Sequence, residues 1–124
     1  MSTHVLSGID LVEVERFQQL DEAIRERFFE RVFTHNERNH IGNSFQRAAG
    51  LFAAKEAAVK MLGCGIGPVG WQDVSVNFNA DGKPDLVFKA YAAELVRQMR
   101  LVSWSLSITH TKGYAAAVVV ALKE

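Results

Sequence analysis

Eight consecutive apolar residues, Ala115 to Leu122, form the longest uninterrupted hydrophobic run of the chain. The run reads Ala-Ala-Ala-Val-Val-Val-Ala-Leu, far short of the roughly 20 residues of a membrane-spanning helix. Its length and central valines suit a buried strand. A strand that is apolar on both faces needs cover on both sides. A chain of 124 residues is long enough for one compact domain and not comfortably two. One layer of helices can cover one face, so a second copy of the chain is expected over the other. The reading is a single domain, residues 1–124, that forms a homo-oligomer.

The segments before this run supply the rest of the layout. Val102, Trp104, Leu106 and Ile108 alternate with Ser103, Ser105, Ser107 and Thr109, the pattern of a half-buried strand. His110-Thr111-Lys112-Gly113 is the tight connection into the last strand, Tyr114 to Leu122. Val5 to Val12 reads as a strand, as do Val74-Ser75-Val76-Asn77-Phe78 and, after the turn Asn79-Ala80-Asp81-Gly82, Leu86 to Phe88. Helices are expected at Val14–Leu20 and at Glu22–Val32, the second burying Ile24, Phe28, Phe29 and Val32 at helical spacing. Thr34 and Glu37 match a capping box that opens a further short helix. Asn39 to Ser44 reads as a loop. Ser44 then caps a long helix, Phe45–Leu62, which Gly63 stops. Ala90–Met99 is helical, with Tyr91, Leu95 and Met99 turned inward. The order predicts an α+β fold, with a mostly antiparallel sheet packed with helices.

Hydrophobic residues at 48% and charged residues at 23% describe an ordinary globular chain. A formal net charge of zero gives no global field for nucleic acid, so no nucleic-acid partner is expected. No membrane partner is expected either. The single cysteine, Cys64, excludes an intrachain disulfide framework and suits the cytoplasm. Met1 to Ser7 lacks the charge and apolar run of a secretory leader.

Chemistry gathers on the long helix and near the start. Glu56 and Lys60 are four residues apart in Phe52-Ala53-Ala54-Lys55-Glu56-Ala57-Ala58-Val59-Lys60 and share a helical face. Taken alone they read first as an exposed pair worth about 0.3–0.5 kcal/mol. Asp10 ends a strand-like run, where a metal ligand or a helix cap are both natural. Lys60 sits near the helix C-terminus, where the dipole also favours a cation. His110 lies at a strand-to-turn junction and could hold phosphate or relay a proton. The glycine-rich Gly63–Gly67 loop follows a helix, whereas phosphate loops of the usual kind precede one. Cys64 reads as a small apolar filler. Arg16, Arg25, Arg27 and Arg31 could dock an acidic protein, although Glu13, Glu15, Glu22, Glu26 and Glu30 interleave with them.

The order of these segments resembles one family. Gly8-Ile9-Asp10 with Arg16, Arg31-Val32-Phe33-Thr34 with Glu37, Phe52-Ala53-Ala54-Lys55-Glu56 with Lys60 and Gly63-Cys64-Gly65-Ile66-Gly67, Asp73-Val74-Ser75-Val76 with Gly82-Lys83-Pro84, and Ser107-Ile108-Thr109-His110-Thr111 through Ala115 are similar to the successive blocks of the holo-acyl-carrier-protein synthases, the small phosphopantetheinyl transferases. The resemblance implies transfer of the 4′-phosphopantetheine arm of coenzyme A to a serine of an apo acyl carrier protein, with release of adenosine 3′,5′-bisphosphate. It implies Mg2+ held by Asp10 and Glu56, with Glu56 as the base, directly or through a bound water. Lys60 and His110 become contacts to the coenzyme A phosphates. Gly63, Gly65, Lys83, Pro84 and Thr111 lie near the nucleotide, and Arg16, Arg25 and Arg27 face the carrier. It also implies a homotrimer with its active sites between subunits. Two positions depart from the pattern. Leu51 stands where the family commonly has arginine, with Arg47 one turn earlier placed to compensate, and Cys64 replaces a frequent threonine. The competing readings are a silent carrier-binding module of the same fold and a nucleotide-binding protein without transfer activity.

Overall fold

Residues 3–124 are described in the computed structural model. The strand β1 (His4–Glu13) leads through a single helical turn, α1 (Glu15–Gln18), into α2 (Glu22–Val32) and α3 (His35–Ile41). The long helix α4 (Phe45–Leu62) follows, then a 3-10 turn at Trp71–Asp73. The hairpin β2 (Val74–Phe78) and β3 (Pro84–Phe88), the helix α5 (Ala90–Gln98), and the strands β4 (Leu101–His110) and β5 (Tyr114–Lys123) complete the chain. Every strand pairing is antiparallel: β1-β5-β4 form one sheet and β2-β3 a second. The α+β architecture is as read from the sequence.

The last strand occupies the centre of its sheet. Ala115, Ala117, Val119 and Ala121 turn toward α4 and are buried. Their small side chains let the helix lie close. On the other face Val118, Val120 and Leu122 are open to solvent, together with Val5, Ile9 and Leu11 of β1, the last at 66% exposure. Double-sided cover is thus absent within one chain. A broad apolar face remains on the side away from α4.

Helix and sheet meet at Gly8. A Cβ there would stand 1.9 Å from the carbonyl oxygen of Ala57, an overlap no side chain can relieve. Gly50 makes a looser approach, 3.0 Å from a methyl of Ile108. Ala48, Ala49, Ala53, Ala54, Ala57 and Ala58 are all fully buried. The small-residue stripe of α4 is therefore a packing surface, not space left for a ligand.

A buried ion pair ties α3, α4 and the hairpin together. Lys55 Nζ lies 2.8 Å from Glu37 Oε1 with both side chains fully buried, and it donates to the Trp71 and Val74 carbonyls at 3.0 and 2.7 Å. Glu37 also accepts from Thr34 N and Val76 N, at 2.8 and 2.7 Å. The expected capping box is present, and its glutamate does this second task as well. Five phenylalanines, Phe17, Phe28, Phe29, Phe33 and Phe52, link α1 and α2 to α4 edge-to-face or tilted.

Several local expectations are corrected. The Asn39–Ser44 segment is helical up to Ile41, whose buried side chain draws the turn inward, and Gly42 at φ 54° ends it. The helix expected over Val14–Leu20 contracts to four residues. Ile24 is exposed, because α2 is fixed by Phe28, Phe29 and Val32 alone. On α5 Leu95 and Met99 pack against the core as expected, beside the buried Ala92 and Val96, but Tyr91 points outward. A bulge between Leu101 and Ser103 turns Val102 to solvent.

Candidate active site

The close contact at Gly8 sets the site. Even-numbered residues of β1 face α4, so Asp10 lies against the helix two positions beyond Gly8. Glu56 precedes Ala57, the residue that touches Gly8, and is thereby brought to Asp10. Lys60, one turn on, donates to Asp10 Oδ1 and to the Ile9 carbonyl, each at 3.1 Å. The expected Glu56–Lys60 pair is replaced by Lys60–Asp10, because Asp10 does not end its strand but lies within β1, which continues to Glu13 across the face of α4. Glu56 is half-buried, and its carboxyl is pushed above the usual range, first by burial and then by the charge of Asp10. Lys60 and Arg16 pull it partly back. Two carboxylates and an ammonium thus share one partly screened locus at the β1 edge of the sheet.

Arg16, on α1, lies over the Phe52 ring at 5.5 Å, one turn before Glu56, and remains exposed. Arg27 is exposed on α2. Arg25 differs. Its guanidinium donates to the Phe17 and Leu20 carbonyls and lies 4.9 Å over Phe45. It pins the α1–α2 turn through Nη1 alone. Gly63 ends α4 in the left-handed region at φ 75°, so the glycine loop begins one turn beyond Lys60, with Gly63 and Gly65 exposed. Cys64 is half-buried against the core and its thiol is pushed up by burial, consistent with a filler.

His110 stands apart from the carboxylates. It ends β4, whereas Asp10 is on β1, and β5 runs between them. Two ladder spacings alone separate the outer strands by roughly 10 Å. His110 instead opens onto two cavities. One of about 720 Å3 also touches Asn43, Arg47 and Lys112. One of about 210 Å3 touches His40, Arg47, Phe78, Gly82 and Pro84. Pro84 is therefore brought to His110, and Lys83 is exposed beside it on the hairpin. Thr111 spends its hydroxyl on the β4–β5 turn, accepting from Tyr114 N at 3.2 Å.

His40 and Phe78 belong to this second locus and escaped the sequence reading. Their rings stack at 3.8 Å and 17°. No local signal marks the pair, since His40 fell in a stretch read as loop. Leu51 borders the smaller cavity, yet is only 2% exposed, so at this position the chain has a core residue. Among the described residues, no group of three or more His, Cys, Asp or Glu side chains is placed to hold a metal. Asp10 and Glu56 together offer a pair of oxygen ligands.

Comparison with known proteins identifies the family to which the chain belongs. The sequence pattern of the 4′-phosphopantetheinyl transferase superfamily matches residues 7–119. The chain belongs to this superfamily, in its holo-[acyl-carrier-protein] synthase branch. The holo-[acyl-carrier-protein] synthase of Carboxydothermus hydrogenoformans is 41% identical over 117 residues, covering 92% of this chain and 94% of the relative. The crystal structure of the Helicobacter pylori holo-[acyl-carrier-protein] synthase in complex with coenzyme A superposes with a TM-score of 0.84 at 30% identity, over 94% of this chain and 99% of that one. The Bacillus anthracis enzyme in complex with CoA (3′,5′-ADP) gives 0.77 at 33% identity, over 99% and 100%. No helix among the described residues is long and apolar enough to cross a membrane.

Proposed function

We propose that this chain, as a single domain over residues 1–124, transfers the 4′-phosphopantetheine arm of coenzyme A to a serine of an apo acyl carrier protein in the cytoplasm. The observation that carries this is the Asp10–Glu56–Lys60 cluster. Asp10 and Glu56 place two negative charges beside the single ammonium of Lys60, which leaves room for a further cation to offset them. Mg2+ prefers oxygen ligands and is commonly held by one or two carboxylates together with phosphate oxygens, so Asp10 and Glu56 fit it. When bound, Mg2+ would offset negative charge growing on the pyrophosphate oxygens.

The chain's own residues supply the rest. The serine oxygen attacks the pyrophosphate phosphorus that carries the pantetheine arm. Its proton passes to the Glu56 carboxylate, directly or through an intervening water. The bond from that phosphorus to the bridging oxygen breaks, and adenosine 3′,5′-bisphosphate leaves. Lys60 has three N–H donors and uses two on Ile9 and Asp10. Its side chain is 55% exposed, which leaves the third for a phosphate oxygen. His110, Thr111, Lys83, Pro84, Gly63 and Gly65 are assigned to the nucleotide. Arg16 and Arg27 are assigned to steering an acidic carrier.

A homotrimer accounts for two further facts. The apolar face of β1 and β5 requires cover. The carboxylates and His110 lie at opposite edges of one sheet, and a boundary between subunits would bring the edge of one copy to that of the next around a single coenzyme A.

The test is mass spectrometry of purified apo carrier proteins after incubation with this protein, coenzyme A and Mg2+. A gain of one phosphopantetheine that EDTA suppresses supports the reading, and the carrier modified fastest identifies a fatty-acid, polyketide or peptide pathway. No gain on any carrier would overturn it in favour of a silent carrier-binding module.

A further inference from the structure

We propose that Arg47 is a specificity residue, which selects donor nucleotides bearing a ribose 3′-phosphate by binding that group in the clefts it shares with His110. The inference rests on the coenzyme A reading above and adds to it a residue and a chemical preference. Arg47 is exposed in the first turn of α4 and lines both cavities that His110 lines. Its Nη1 donates to the His40 carbonyl at 3.2 Å. That single bond aims the guanidinium and leaves its other N–H groups free among the described contacts. Lys112 adds a second fixed cation to the larger cavity. Among the described residues, no carboxylate lines either one. A cationic cleft without a counter-charge favours an anion. The planar fork of arginine matches phosphate oxygens two at a time.

The pyrophosphate of the donor is already assigned to the Asp10–Glu56–Lys60 cluster, at the opposite edge of the sheet. The anion left for the Arg47 cleft is the ribose monophosphate, a dianion near neutral pH. The stacked His40 and Phe78 rings form an apolar wall of the smaller cavity, suited to the nucleoside that carries this phosphate. Burial and the nearby Arg47 charge both lower the proton affinity of His40, so this wall stays neutral.

Isothermal titration calorimetry with adenosine 3′,5′-bisphosphate and with adenosine 5′-monophosphate tests the assignment on the full-length wild type, Arg47→Ala and Arg47→Lys. The wild type should bind the bisphosphate more tightly. Arg47→Ala should weaken bisphosphate binding by about 10- to 100-fold, the loss of a charge-assisted pair, while leaving the monophosphate unchanged. Arg47→Lys, with the charge but without the fork, should fall between. Arg47→Ala that keeps the full preference, or that weakens both ligands alike, would overturn the role of Arg47 alone. A wild type that binds neither nucleotide would overturn the coenzyme A reading itself. Circular dichroism of each variant separates these outcomes from misfolding.

Discussion

At the scale of single residues, two titrations report the environment that the fold creates. Glu56 keeps its proton to higher pH than an ordinary glutamate, first through burial and second through Asp10. The folded state therefore binds that proton more tightly than the unfolded chain, and this group lowers stability as pH rises from the ordinary carboxylate value through the raised one. Asp10→Asn should bring the Glu56 midpoint down part of the way in carboxyl 13C titrations of metal-free protein. An unmoved midpoint would break the placement of the two carboxylates side by side. His40 is shifted downward by burial and then by Arg47. The unfolded chain takes that proton first, so stability falls as pH drops below the ordinary histidine value toward the lowered one. Arg47→Ala should raise the His40 midpoint in 1H NMR, but not fully, because burial is the larger cause. A complete return to the ordinary value would show that charge dominates instead.

At the scale of elements, the site depends on how α4 is seated. Gly8→Ala places a methyl on the Ala57 carbonyl, and neither backbone can yield cheaply. Overpacking of this kind costs about 1–3 kcal/mol, and the upper end is expected in urea unfolding. The same change pushes Asp10 away from Glu56, so transfer should fall by more than stability alone explains. Wild-type turnover in Gly8→Ala would show that the helix can shift without disturbing the carboxylates. The second anchor is Lys55 on Glu37. Lys55→Met strands a buried carboxylate and should cost about 3–5 kcal/mol. Adding Glu37→Gln should recover part of that loss, because removal of both charges leaves no uncompensated ion. If the double variant is less stable than Lys55→Met by the full cost of a second lesion, the pair is not coupled.

At the scale of the whole molecule, the open face of β1 and β5 carries Val5, Ile9, Leu11, Val118, Val120 and Leu122. Val118→Asp puts a charge at the centre of that face and should convert the proposed trimer to monomer in analytical ultracentrifugation, with loss of transfer. A Val118→Asp monomer that is fully active would refute an active site shared between subunits. An unchanged trimer would place the interface elsewhere.

The sequence alone determined the element order, the capping box of Thr34 and Glu37, the ends of α4, and Asp10, Glu56 and Lys60 as the residues to watch. Those features are written in local periodicity, in capping chemistry and in a resemblance spread along the chain. The two-sided apolar character of the last strand was legible too, as a need for cover, though not which face the helix would take. Only the tertiary structure decided that Lys60 pairs with Asp10, that Arg25 turns inward, and that Lys55 is buried on Glu37. It alone placed His110 with Arg47, His40 and Phe78, away from the carboxylates. Each of these depends on which residues distant in sequence meet, and those meetings follow from the packing of α4 on Gly8 and from the strand order β1-β5-β4. A periodic pattern reports which side of an element is buried; it carries no information about what lies against that side.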